Sequence, residues 1–248
     1  MGFIRTFLPK PLHEPALVLL RQIRRTLLFG FARYCPVCRS RVRSFKRYGV
    51  GTRPDACCPV CGSFERFRFL WLLLDSRKDI IPAGPCTMLH FAPERVFEQR
   101  YRRIPGIDYL SADLDPAKAM ARVDITDIPY PDNTFDVIHC SHVLEHIPDD
   151  VLAMRQLHRV LKPRRTAIIM VPITADTTIE DPSVTDPAER LRLFGQHDHV
   201  RRYGPDVEQR LQNAGFEVEC IRPEHFLKPR DIDRMRVSGE KVFLCKKT

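Results

Sequence analysis

Four of the nine cysteines in this 248-residue chain form two identical tetrapeptides, Cys35-Pro-Val-Cys38 and Cys58-Pro-Val-Cys61, separated by 19 residues. A Cys-x2-Cys turn brings two sulfurs to one side of a tight knuckle. Two knuckles complete a closed tetrahedral shell around one zinc ion. A closed shell leaves no position for a substrate, so Cys35, Cys38, Cys58 and Cys61 are expected to hold a structural ion in a small module spanning residues 34–65. Cys57 adjoins Cys58 but lies one residue too far from Cys61 to make the same knuckle. A redox pair is the alternative, but no thioredoxin-like context surrounds either tetrapeptide. The odd cysteine count, with Cys86, Cys140, Cys220 and Cys245 scattered, argues against a disulfide framework. Met1–Lys10 also lacks a secretory leader pattern. The expected compartment is therefore the cytoplasm.

Positive charge is concentrated at the front. Residues 1–66 carry 13 Lys/Arg against 3 Asp/Glu, whereas the rest of the chain is nearly neutral, with 27 against 28. Residues 1–33 read as a basic arm, with Pro9, Pro11 and Pro15 between two apolar stretches. Leu17, Leu20, Arg21, Arg24 and Leu28 are spaced as a helix with apolar and cationic faces. That helix suits either capping of the next module or peripheral contact with a membrane surface. The arginines interrupt Ala16–Phe31, so no transmembrane span is expected. A front of this charge also suits nucleic acid or another acidic partner, or simply a solvated surface.

Residues 66–248 are expected to form the main domain, with a core from residue 86 onward. Phe67, Leu70, Trp71 and Leu74 place a helix over about Phe64–Arg77, packing as the first helix of that domain. Strands and helices then alternate. Thr87–Phe91, Ile107–Ala112, Phe135–Cys140, Thr166–Val171, Glu217–Ile221 and Lys241–Cys245 read as strands. Asp149–Lys162, stopped by Pro163, and Asp206–Ala214, stopped by Gly215, read as helices. Such alternation predicts an α/β fold, a doubly wound and mostly parallel sheet, because parallel strands need helical crossovers.

In open sheets of this kind the ligand sits beyond the carboxyl ends of the strands. Asp113 closes the second strand, where a carboxylate can accept hydrogen bonds from a ribose, and Asp124 lies within reach of an adenine amino group. The stretch from Asp124 to Asp149, with Val137-Ile-His-Cys-Ser-His-Val-Leu-Glu-His-Ile-Pro-Asp149, resembles the class I methyltransferases, as does Leu157-His-Arg-Val-Leu-Lys-Pro163. Cys58–Arg68, Leu89-His-Phe-Ala-Pro-Glu94 and Asp198-His-Val-Arg-Arg-Tyr-Gly204 resemble a bacterial group of these enzymes with a zinc-ribbon front. The resemblance covers about residues 86–248. It implies a seven-stranded sheet with an antiparallel last strand, and S-adenosylmethionine as cofactor. The cofactor-binding set it implies is His90, Ala92, Glu94, Asp113, Leu114, Asp124, Ile125 and Ser141.

The sequence departs from that family twice. His90 stands where an acidic residue is usual and Ala92 where the first glycine is usual, with Glu94 placed to supply the missing carboxylate. Arg164-Arg165 replaces a usual Gly-Gly turn.

Methyl transfer from a sulfonium is an in-line displacement that depends on holding the nucleophile close and aligned. His142, after the fourth strand, is the expected substrate-side base. Glu145 and His146 are expected to order that turn, and His139 to be a core residue. The polar insertion Ile173–Gly195 reads as a substrate loop. It leads into His197–Tyr203, where His199, Arg201 and Tyr203 are the groups expected to meet an anionic or hydroxylated acceptor. Metal ligation by His197, Asp198 and His199 would need a partner from elsewhere in the chain. The expected activity is methylation of a hydroxyl on a small molecule or sugar. The alternatives are RNA methylation through the basic front, and a non-catalytic binding protein that kept the fold.

Overall fold

In a computed structural model of the protein, the structure describes residues 13–49, 53–237 and 239–248. The first part of the basic arm, including Met1–Lys10 and Pro11, lies outside the described residues. The chain divides into two compact units, residues 1–75 with 223–240 and residues 76–222 with 241–248.

Among the described residues the first unit begins with helix α1 (His13–Leu27). Two hairpins follow: β1 (Arg33–Cys35) with β2 (Ser40–Val42), and β3 (Lys46–Tyr48) with β4 (Arg53–Cys57). Cys35 ends β1 and Cys58 follows β4, so each knuckle hangs on a strand end. Cys35, Val42, Phe45, Cys58 and Val60 form a small core. Too few apolar residues gather there to hold a module of this size alone, as is usual for small metal-stapled modules.

Helix α2 (Glu65–Ser76) groups with this unit and buries Phe69, Leu70, Leu73 and Leu74. Arg68 on the same helix is fully buried. Its guanidinium donates to the carbonyls of Ala56 at 3.0 Å, Ser63 at 2.8 Å and Met235 at 2.6 Å, and lies 4.2 Å over the Phe45 ring. The cation thus joins the second knuckle to the helix Pro229–Met235, replacing its lost hydration with carbonyl acceptors and an aromatic face.

The second unit is built on a seven-stranded sheet. Its strands are β5 (Cys86–Phe91), β6 (Ile107–Asp113), β7 (Ala121–Arg122), β8 (Phe135–Ser141), β9 (Leu161–Met170), β12 (Phe216–Ile221) and β13 (Val242–Lys247). The order is β12-β13-β9-β8-β5-β6-β7, and only β13 runs against its neighbours. The expected doubly wound, mostly parallel sheet with an antiparallel last strand is therefore present. Helices α3 (Arg95–Tyr101), α4 (Asp150–Val160), α5 (Pro187–Phe194) and α6 (Val207–Asn213) complete the unit, with a small β10–β11 pair (Ile179–Glu180 and Arg201–Arg202). β8 is buried along its whole length, as a central parallel strand must be.

Asp136 pins the other end of the sheet, away from the carboxyl edge. Its buried carboxylate accepts from Thr87 N–H and Oγ1 and from Lys162 Nζ at 2.7 Å, with Arg165 at 3.1 Å. Strands β5, β8 and β9 are so locked in register.

One boundary differs from the sequence reading. Helix α4 ends at Val160, and Leu161 already pairs with Phe135. The strand then runs through Pro163, with Arg164 at φ 60°. Pairing with the central strand claims Leu161, and a left-handed residue accommodates the irregular start.

Candidate active site

In the first unit the four knuckle sulfurs lie within 4.8 Å of one another. Cys35 and Cys61 Sγ are 3.6 Å apart, and Cys38 and Cys58 Sγ 3.8 Å. Zn–S bonds of about 2.3 Å at tetrahedral angles place sulfurs roughly 3.8 Å apart, so the cage fits this ion. Hydrogen bonds from Cys35, Cys58 and Cys61 hold the Cys38 thiol far below its ordinary range. Ser63 Oγ lies 3.1 Å from Cys35 Sγ and 3.2 Å from Cys61 Sγ, an outer shell that orients the sulfurs. Cys57 stands outside the cage, turned toward the Cys58 carbonyl.

In the second unit the register of β5 with β6 and β8 aligns Phe91 with Ala112 and Cys140. The next residues, Ala92, Asp113 and Ser141, therefore stand in a row at the carboxyl edge. Ala92 has φ 45° and donates its N–H to the Ala112 carbonyl at 2.8 Å. The turn thus adopts the left-handed conformation that glycine supplies at low cost. Asp113 is oriented by the Asp115 N–H, which donates to Oδ1 at 2.8 Å, and Leu114 is exposed beside it. Asp124 accepts from Thr126 N–H and Oγ1 at 2.8 and 2.7 Å, while Ile125 is buried beneath.

Behind Ala92 lies a buried polar cluster. His90 reaches Tyr109 Oη at 2.9 Å through Nδ1 and Glu94 at 3.0 Å through Nε2. The His139 ring stacks on His90 with centroids 4.3 Å apart, and its Nδ1 is 3.2 Å from Tyr101 Oη. His139 Nε2 is buried with no hydrogen-bond partner among the described residues, so this core histidine is only half satisfied. Burial alone would raise the Glu94 carboxyl, but the His90 hydrogen bond, the two imidazoles and Ser141 together hold it at about 2. Burial pushes His139 down to about 3, so it is neutral. The cluster presents a fixed anion next to the Ala92 turn.

The third group lies in the turn after β8. His142 takes φ 55°, a left-handed conformation that a non-glycine residue holds only under constraint from its surroundings. Its Nδ1 lies 3.2 Å from Glu145 Oε1. Burial raises the Glu145 carboxyl, but the His142 hydrogen bond and charge outweigh it, and the group is held below its usual range. Glu145 and His146 sit in a single 3-10 turn, Leu144–His146. The backbone N–H of Val200 donates to the Glu145 carbonyl at 2.9 Å and brings His199 alongside. The His146 and His199 rings meet edge to face at 4.7 Å. Burial lowers His199, which favours the neutral ring.

Arg201 and Tyr203 stand behind this turn. Arg201 donates to the carbonyls of Leu144, Ile147 and Pro148 and to Glu180. Tyr203 donates to Asp150 at 2.6 Å, and Arg210 closes that carboxylate at 2.9 Å. These groups fix the backbone that carries Glu145 and His146. The sequence reading had no signal for that work, because it depends on main-chain carbonyls that side-chain types do not report.

The strand order, the single antiparallel strand and the acidic residues at the carboxyl edge define the class I methyltransferase fold. The chain belongs to the methyltransferase-domain family, whose model matches residues 65–221. It is 32% identical over 112 residues to 27-O-demethylrifamycin SV methyltransferase of Amycolatopsis mediterranei, across 44% of this chain and 39% of that protein. It is 28% identical over 137 residues to demethylmenaquinone methyltransferase of Staphylococcus carnosus, across 54% of this chain and 48% of that protein. The matched stretch thus spans less than half the length of these curated relatives.

Two solved structures share the fold. The CurJ carbon methyltransferase aligns with a TM-score of 0.51 at 12% identity, over 72% of this chain and 53% of that one. The cyclase SpnF aligns with a TM-score of 0.50 at 16% identity, over 71% and 80%.

Proposed function

We propose that the protein is an S-adenosylmethionine-dependent methyltransferase acting on a hydroxyl of a small molecule or sugar. The observation that carries the cofactor reading is the row Ala92, Asp113, Ser141 at the carboxyl edge, with Ala92 left-handed and the Glu94 carboxylate beside it. S-adenosylmethionine, when bound, supplies a methyl group on a cationic sulfur. The ionised Glu94 offers an acceptor for its ammonium group, and Asp113 one for the ribose hydroxyls. Asp124 would accept from the adenine amino group, with Leu114 and Ile125 as the apolar walls, while His90 and Ser141 hold Glu94 in place. A fixed anion and oriented acceptors suit a cationic nucleoside, so the residues present fit the cofactor.

His142 would take up the acceptor's hydroxyl proton during methyl transfer. Glu145 orients its ring through Nδ1 and steadies the charge it gains, leaving Nε2 for the proton. His199 contacts the acceptor across the turn. Two relatives carrying names of small-molecule methyltransferases support a small acceptor. Zinc in the Cys35, Cys38, Cys58 and Cys61 cage serves folding. Five further cysteines outside the cage, none of them in a disulfide, support a reducing, cytoplasmic setting. Among the described residues no helix is long and apolar enough to cross a membrane.

The test is turnover. With a panel of hydroxylated acceptors the full chain should release S-adenosylhomocysteine, and His142→Ala should lower kcat about 100-fold or more without weakening cofactor binding. Equal turnover by His142→Ala would remove that base. A fold shared with a cyclase leaves the reaction to be fixed by the site, which is why turnover decides.

One observation favours RNA as the acceptor instead. A groove of about 570 Å³ in the first unit is lined by Arg25, Arg39 and Arg41 with Phe29. Three guanidiniums with an aromatic ring suit phosphates and a stacked base. RNA binding that weakens steeply with salt would select this reading.

A further inference from the structure

We propose that Glu145, His146 and His199 form a binding site for one divalent first-row transition-metal ion, such as zinc or iron(II), beside His142. The three side chains each place a ligand atom within 4.8 Å of the others. Sequence spacing alone could not show this, since His199 is brought to Glu145 and His146 by the Val200-to-Glu145 backbone hydrogen bond and by Arg201, which gathers carbonyls of the Glu145 turn.

The tautomers suit ligation. His199 Nδ1 lies 3.3 Å from the Phe194 carbonyl, which can only accept, so Nδ1 carries the proton and Nε2 keeps its lone pair. His146 Nδ1 faces Asp198, at 3.4 Å from Oδ2 and 3.3 Å from the carbonyl, with the same consequence. Ligating histidines characteristically donate the second ring nitrogen to a carbonyl or carboxylate in this way.

The carboxylate supplies the independent sign. Glu145 is 1% exposed, and Oε2 has no hydrogen-bond partner among the described residues. A buried carboxylate oxygen without a donor is costly, and a cation removes that cost. Oε1 meanwhile stays with His142.

Two imidazoles and one carboxylate leave coordination positions open. They select zinc, iron(II), cobalt or nickel over magnesium, which prefers oxygen ligands. In its catalytic role the inference rests on the methyltransferase reading: an acceptor hydroxyl in an open position would be acidified and aligned next to His142. Binding of the ion itself does not depend on that reading.

The experiment is metal stoichiometry of the full chain after equilibration with zinc or cobalt(II) alone and removal of the excess. Wild type should retain one ion per chain more than His146→Ala, Glu145→Gln and His199→Gln, irrespective of the ion held by the cysteines. The cobalt bound at this site should lack thiolate-to-metal charge-transfer absorption. The His146 side chain is 33% exposed, so its removal leaves the core packing in place. Far-ultraviolet circular dichroism and S-adenosylmethionine binding report whether each variant is folded. Equal ion counts in wild type and folded His146→Ala would overturn the site. If that happens while the cofactor still binds, the methyltransferase reading stands. If the extra ion binds but the cofactor does not, the metal site stands and the enzyme reading falls.

Discussion

His90 Nε2 and the Glu94 carboxylate are 3.0 Å apart across the left-handed Ala92, so the turn that lacks glycine is closed by a side-chain hydrogen bond. The resemblance to class I methyltransferases implies an acidic residue at the end of the first strand, where this chain has His90. Glu94, four residues on, carries a carboxylate held low by its surroundings, and its anchor is an imidazole buried against His139.

Glu94→Gln should therefore weaken S-adenosylmethionine binding by roughly 10- to 100-fold, the usual worth of a hydrogen bond to a charged group. Calorimetry on wild type and variant measures it. Equal affinities would show that Glu94 does not meet the cofactor.

Ala92→Gly should stabilise the second unit. A non-glycine residue at φ 45° costs about 1–2 kcal/mol, whereas glycine adds about 0.4–1 kcal/mol of chain entropy to the unfolded state. A net gain of about 0.5–1 kcal/mol in chemical denaturation is expected, with cofactor binding retained. Loss of stability would mean that the alanine methyl group packs productively in this turn.

Stability should fall as pH drops from about 6.5 toward 3. His139 is held neutral by burial, with its pKa lowered to about 3, whereas the unfolded chain protonates it near 6.5. The unfolded state therefore binds the extra proton first, and acid favours it over that window. Glu94 adds a second loss below about 4.5, complete near 2, because its folded pKa is depressed. Melting temperature against pH should be flatter between 6.5 and 4.5 for His139→Gln. An unchanged slope would place the acid sensitivity elsewhere.

Chelation of zinc should unfold the cysteine module of residues 34–65. Its small core is Cys35, Val42, Phe45, Cys58 and Val60, and Arg68 draws two of its carbonyl partners, Ala56 and Ser63, from either side of the second knuckle. Limited proteolysis should then cut within residues 34–65, and Cys61→Ser should be cut there without chelator. Continued protease resistance in metal-free protein would remove zinc from the folding account.

The sheet was legible because its strands are short apolar runs separated by polar turns. Thr87–Phe91 and Phe135–Cys140 each fall within one residue of the observed ends. The cysteine cage was legible from spacing, since a knuckle is local. The rest depends on chain segments meeting at a distance. Glu145 and His146 read as residues that order a loop, and His199 as a group of another loop. Their convergence is set by Val200 and by Arg201, whose guanidinium gathers three carbonyls of the first loop. The strand start at Leu161 was hidden by Pro163, which ordinarily signals a stop but here begins a strand with a left-handed Arg164.

The central claim is that the Ala92 turn binds S-adenosylmethionine without a glycine. Isothermal titration of the full chain with S-adenosylmethionine tests it most directly. The expected result is saturable binding of one molecule per chain, weakened in Glu94→Gln and unchanged in His142→Ala. Absence of binding to folded wild type would contradict it and leave a protein that keeps the fold without the cofactor.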